Sequence, residues 1–138
     1  MITETKTLRL RPALRSEIDR IARQSRRSFS EVAQDLLEEA LRMRKCPGIY
    51  FAVEPAGREA KIAGTGLGIW EIIAVYKAVS KDERALRAGF PRLTEAQRKA
   101  ALLYYRSYPD EIDTLVAENE TLSLEVPQVE VPGRAGKR

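Results

Sequence analysis

Histidine is absent from the 138 residues, and cysteine occurs once, at Cys46. The first absence removes the commonest general base near neutral pH and the commonest metal-binding side chain. The second excludes an intrachain disulfide, and together they argue against a zinc site. Cys46 reads as a partly buried thiol at a joint between segments. No apolar run approaches the roughly 20 residues of a bilayer-spanning helix. The opening MITETKTLRLRP lacks the apolar stretch of a secretory leader, so a cytoplasmic protein with no membrane partner is the expectation. Persuasive carboxylate clusters are missing as well. Asp110, Glu111 and Asp113 crowd the start of a predicted helix, where acids suit the helix dipole. The sequence therefore offers no catalytic residue, no cofactor site and no metal site, and an enzyme is not expected.

Charge is plentiful and unevenly placed. Residues 1–45 hold eleven Lys/Arg against seven Asp/Glu, which accounts for the whole net charge of +4; thirteen of each cancel in the remainder. An excess confined to one segment is the electrostatic footprint of a polyanion reader, although a solvated helical face also produces small imbalances.

The hydrophobic period switches within that same segment. In TKTLRLR (5–11), Leu8 and Leu10 alternate with Thr5, Thr7, Arg9 and Arg11, the period of a strand that Pro12 then ends. Two helices are predicted after it, about 13–25 and 29–45. The first carries Leu14, Ile18, Ile21 and Ala22 on one stripe. The second carries Phe29, Val32, Ala33, Leu36, Leu37, Ala40 and Leu41. Ser28 with Glu31 has the spacing of a capping box. A lone strand cannot satisfy its own hydrogen bonds, and about forty residues cannot bury enough surface to fold alone. The simplest partner for both is a second copy of the chain. A ribbon of two such strands fits the DNA major groove.

In that ribbon, Thr5, Thr7 and Arg9 become base-reading side chains, with Arg9 able to fork onto a guanine. Arg11 falls nearer the phosphates. Arg26, Arg27, Ser28, Phe29 and Ser30 surround the start of the second helix, where free amides suit a phosphate. The plainer alternatives are an exposed edge strand with basic gatekeepers, and simple helix capping. The alternation followed by two regularly spaced helices favours the groove reader.

Beyond Cys46-Pro47-Gly48, runs at about 49–54 and 58–63 flank Pro55-Ala56-Gly57 and predict a β-hairpin. Helices are expected at about 69–79, 81–88, 95–107 and 109–119, the third opened by Thr94 with Gln97. Gly64, Gly66 and Gly68 admit a dinucleotide loop, but no second βαβ unit has room, and tight turning explains them. Trp70, Tyr76, Tyr104, Tyr105 and Tyr108 have helical spacing, which favours core packing over a base-stacking platform. The run 69–107 has helix-turn-helix spacing, with Arg98, Lys99 and Arg106 on its last helix. A second DNA contact there is open, and the local charge balance speaks against it. From Glu120 onward an extended or disordered tail is expected. The fold class is mainly α with short β: a ribbon-helix-helix unit at 1–45, a hairpin and multi-helix domain at 46–119, and a tail at 120–138.

The TLRLRP strand, two amphipathic helices and the RSFSE helix start resemble the ribbon-helix-helix family of dimeric DNA-binding proteins. That resemblance places Thr5, Thr7 and Arg9 on base-reading strand positions and Ser28–Ser30 on the phosphate-clamping helix start. The family often has Gly in the turn before that helix, where Ser25 and Arg26 stand here. IAGTGLGIWEIIAVYKA, FPRLTEAQRKAALLYY and YPDEIDTLVAEN resemble the domain of unknown function 433 family. Its members look like antitoxin components, often encoded beside a PIN-like ribonuclease toxin. The resemblances imply an antitoxin of a type II toxin–antitoxin pair. It would bind its own double-stranded operator as a homodimer or higher oligomer and neutralise a cognate PIN-like nuclease. The alternative is a stand-alone repressor whose carboxy-terminal domain senses a ligand or oligomerises. A plasmid relaxosome accessory protein is a third reading.

Overall fold

The computed structural model describes residues 3–54 and 57–125, with side chains as far as Glu120. It is mainly helical, with six helices and one two-stranded antiparallel sheet among the described residues. The chain divides into two compact units between Lys45 and Cys46.

The first unit holds α1 (Pro12–Ser25) and α2 (Phe29–Lys45). Pro12 stands at the first helical position, where a missing N–H costs nothing. The helices pack through buried Ile18, Ala22 and Val32, with Leu10, Ile21, Phe29, Ala33 and Leu36 against them. This follows the predicted stripes only in part, because Leu14, Leu37 and Leu41 are exposed, Leu41 to 66%. Leu8 is exposed as well, to 68%. Fully burying a leucine stabilises by roughly 1.5 kcal/mol or more. Four leucines left in water are therefore a substantial unspent driving force for association. Residues 3–11 belong to no strand within the chain. The alternation is present, but the described residues supply no strand for it to pair with.

The second unit opens with β1 (Ile49–Glu54) and β2 (Gly57–Ile62), paired from Ile49 opposite Ile62 to Glu54 opposite Gly57. It continues with α3 (Ile69–Ala78), α4 (Glu83–Gly89), α5 (Glu95–Ser107) and α6 (Pro109–Glu125). Helix α3 is central, touching α4, α5, α6 and β2. Its Ile69, Ile72 and Ile73 are fully buried with Ile62, Leu86, Ala101 and Tyr104. Gly64 and Gly66 sit at φ +84° and +73° in the connection from hairpin to α3. They serve the turn, as the sequence suggests.

Helix starts are capped as their sequences dictate. The Thr94 hydroxyl accepts from the Gln97 amide at 3.1 Å, while Gln97 accepts from the Thr94 amide at 2.9 Å. The same Gln97 donates to the Ala63 carbonyl at 3.2 Å, tying α5 to the end of the hairpin.

One boundary differs from expectation. Helix α6 runs to Glu125 rather than ending near 119, so residues 120–125 are helical where an extended tail was expected. The segment ETLSLE contains no breaker, and the first barrier to helix is Val126 preceding Pro127. The remainder of the expected tail, from 126, lies outside the described residues. No described helix is long and apolar enough to cross a membrane.

Candidate nucleic-acid interface

The base-reading candidates Thr5, Thr7 and Arg9 are all exposed, whereas Leu10 between Arg9 and Arg11 is half-buried against the α1–α2 core. Leu10 anchors the end of the stretch next to α1, with exposed Arg9 and Arg11 on either side of it, while Leu8 two residues earlier remains exposed. Arg11 is extended (φ −62°, ψ 144°) and its carbonyl accepts from the Arg15 amide at 3.0 Å, coupling the stretch to the first turn of α1.

The turn between α1 and α2 is a Schellman motif. The Arg27 amide donates to the Ala22 carbonyl at 3.0 Å and the Arg26 amide to the Arg23 carbonyl at 3.3 Å. Arg26 stands where glycine is usual and adopts the left-handed conformation, φ 57° and ψ 41°. A non-glycine residue there costs of order 1–2 kcal/mol. The cost is partly offset by placing a cation beside the exposed carbonyls that end α1.

At the start of α2, the Ser28 hydroxyl accepts from the Glu31 amide and Glu31 accepts from the Ser28 amide, both at 3.0 Å. The bond from the Ser28 amide, helped by the Ser28 side chain, holds the Glu31 carboxyl below its ordinary range. The Ser30 hydroxyl accepts from Gln34 at 3.0 Å. The amides of Phe29 and Ser30 head the helix with no acceptor among the described residues. Two donors on the positive end of a helix dipole form a ready seat for one anionic oxygen.

The basic candidates divide. Arg26 and Arg11 are exposed, and no side-chain partner engages either among the described residues. Arg27 is held by Asp35 at 2.5 Å, which pushes its already high pKa further up. This pair joins residues eight apart, from just before the Ser28 cap to the second turn of α2. Helical spacing gives no hint of it, and sequence reasoning missed it. To grip a phosphate, Arg27 must leave or share that carboxylate.

In the second unit most aromatic residues pack on its core. Tyr104 is fully buried and donates to Glu111 at 2.7 Å; its ring lies 4.8 Å from that of Tyr108 and 6.4 Å from Phe51. The Trp70 indole donates to Glu59 at 3.0 Å, and Tyr105 donates to Asp113 at 2.8 Å. Rings engaged in this way stabilise the unit and leave no open stacking platform.

The molecule so described is a mainly helical protein with an amino-terminal two-helix unit and a hairpin-bearing multi-helix unit. No family model matches the chain. No curated protein matches it. Among solved structures it is similar to the crystal structure of a domain of unknown function 433 member protein from Anabaena variabilis ATCC 29413. The two are 26% identical with a TM-score of 0.44, covering 63% of this chain and 83% of that one.

Proposed function

We propose that this chain is a DNA-binding regulator that reads an operator through a ribbon made by two copies of residues 5–11. The observation that carries the reading is the first unit itself. An alternating stretch is anchored at Leu10, exposes Thr5, Thr7 and Arg9, and has no partner strand among the described residues. Within the same unit the exposed Leu8, Leu14, Leu37 and Leu41 offer apolar surface for the second copy. Thr5, Thr7 and Arg9 then meet base edges in duplicate. Arg11, Arg26 and the amides at Phe29 and Ser30 grip phosphates on either side. This arrangement would complete the ribbon-helix-helix fold that the sequence resembles.

The further placement, as the antitoxin of a type II pair with a PIN-like nuclease partner, rests on the sequence resemblance of the second unit. Mass measurement of the chain co-expressed with its neighbouring gene tests it. A stable complex with a nuclease that loses activity on binding supports the antitoxin reading, and persistent separation of the two proteins removes it.

The DNA reading is tested by binding-site selection with the full chain and with Arg9→Ala. Loss of a forked arginine–guanine contact weakens specific binding by about 1–3 kcal/mol and relaxes one base position in each half-site. An unchanged preference shows that the strand is not the reader.

A further inference from the structure

The second unit has no net charge, but its cations and anions are segregated along the chain. Residues 107–125 carry six acids and no base, whereas residues 81–106 carry seven bases and three acids. The exposed cations gather around α4 and the turn that follows it. Leu86 is the fully buried residue of α4. Arg84 and Arg87, three apart on this helix, are both exposed, and side chains at that spacing are neighbours on a helix surface. The chain then turns through Phe90–Leu93, closed by the Leu93 amide donating to the Phe90 carbonyl at 3.1 Å. Leu93 is buried there and leaves Arg92 outside. Arg98 reaches back from α5 and donates to the Leu93 carbonyl at 2.7 Å, which fixes the turn and adds a half-exposed charge.

No ion pair neutralises Arg84, Arg87 or Arg92 among the described residues. Elsewhere in the unit Lys61 pairs with Glu54, Lys77 with Asp113 and Lys99 with Glu95, while the exposed Lys81 and Arg106 stand outside the ion pairs among the described residues. Asp82 is occupied at the start of α4, accepting from the Arg84 amide at 3.0 Å. The connection that leads into α4 is also strained. Ser80 and Lys81 are consecutive left-handed residues, at φ 57° and 61°, closed by the Lys81 amide donating to the Tyr76 carbonyl at 2.7 Å. Neither is glycine, and each such residue costs of order 1 kcal/mol. The strained turn is one that the fold retains while holding α4 and its arginines in place.

We infer that Arg84, Arg87 and Arg92 form a second nucleic-acid contact, one that grips phosphates without reading bases. The inference deepens the DNA-binding reading of the first unit but rests on different residues. Guanidiniums are suited to it, because each presents a planar fork of donors to phosphate oxygens. Contacts to phosphates carry no sequence information, so the contribution is electrostatic and independent of sequence.

The test uses the full chain and a duplex of random sequence, with affinity measured across a range of salt concentrations. Each neutralised phosphate contributes about −0.9 to the slope of log affinity against log salt. The variant Arg84→Ala/Arg87→Ala/Arg92→Ala is expected to make that slope shallower by about two to three. The sites it selects stay unchanged. The counterpart Arg84→Lys/Arg87→Lys/Arg92→Lys, which keeps the charge, is expected to retain most of the slope. All three positions are exposed, so the emission of the only tryptophan, Trp70, reports that the unit stays folded. An unchanged slope in the folded alanine variant overturns the inference. So does an unchanged slope accompanied by loss of self-association, which would assign the arginines to an acidic protein surface such as another copy's α6. Failure of the ribbon reading is recognised separately, because Arg9→Ala would then leave site selection untouched while the slope test still stands.

Discussion

Arg26 shows how a single residue serves two opposed ends. It holds the left-handed position of the α1–α2 turn, where a glycine would fit without strain, and it carries a free charge next to the amides of Phe29 and Ser30. The account predicts that Arg26→Gly raises the stability of the first unit by up to about 1 kcal/mol, read as a higher melting temperature. The same substitution weakens DNA binding and makes the salt slope shallower by about one. A variant that gains stability without losing affinity would remove Arg26 from the phosphate contacts. Arg27 behaves differently, because Asp35 already holds it. The sequence makes these two arginines look equivalent. Which one is free depends on a contact from the turn to α2 that no local spacing reveals.

At the scale of elements, the helices and hairpin were largely legible because their signals are local. Ser28 with Glu31, Thr94 with Gln97, and Pro109 mark helix starts by the chemistry of orphan amides, and each helix begins where its marker stands. The length of α6 was less legible, since the polar segment after Asn119 carries no breaker and no strong apolar period. What seats α6 was hidden altogether. Asp113 accepts from Lys77 of α3 at 2.6 Å and from Tyr105 of α5 at 2.8 Å, joining three helices through one carboxylate.

The same cluster makes a prediction about pH. The bond from Lys77, with that from Tyr105, holds the Asp113 carboxyl below its usual range, and the bond to Asp113 raises the Lys77 ammonium. A depressed carboxyl contributes stability above its unfolded-state pKa, and that contribution is lost as pH falls through the folded value. A raised ammonium contributes below its unfolded-state pKa and loses the contribution as pH climbs through its folded value. The seating of α6 is therefore strongest between about pH 4 and pH 10. Asp113→Ala is expected to cost about 1 kcal/mol at neutral pH, since both partners are partly solvated. It should also flatten the acid limb of a melting-temperature profile. An unaltered acid limb would show that the cluster is incidental.

For the whole molecule, the division of labour follows from charge and from unspent apolar surface. The first unit carries the entire net excess of positive charge in the chain and leaves Leu8, Leu14, Leu37 and Leu41 in water. The second buries a contiguous core from Cys46 to Val116 and packs most of its aromatic residues against it. A small unit with exposed leucines gains from association, whereas a unit with a closed core stands without it. The leucines that remain exposed are the part of the predicted stripes that one copy could not explain. They support an association that residues 5–11 would complete as a ribbon.

Hydrogen exchange at the backbone amides of residues 5–11, followed over a range of protein concentrations, tests that association most directly. The account predicts amides that become protected as concentration rises, in the alternating pattern of two antiparallel strands, together with the mass of a dimer. Exchange at free-chain rates at every concentration, with the mass of a single chain, would contradict it.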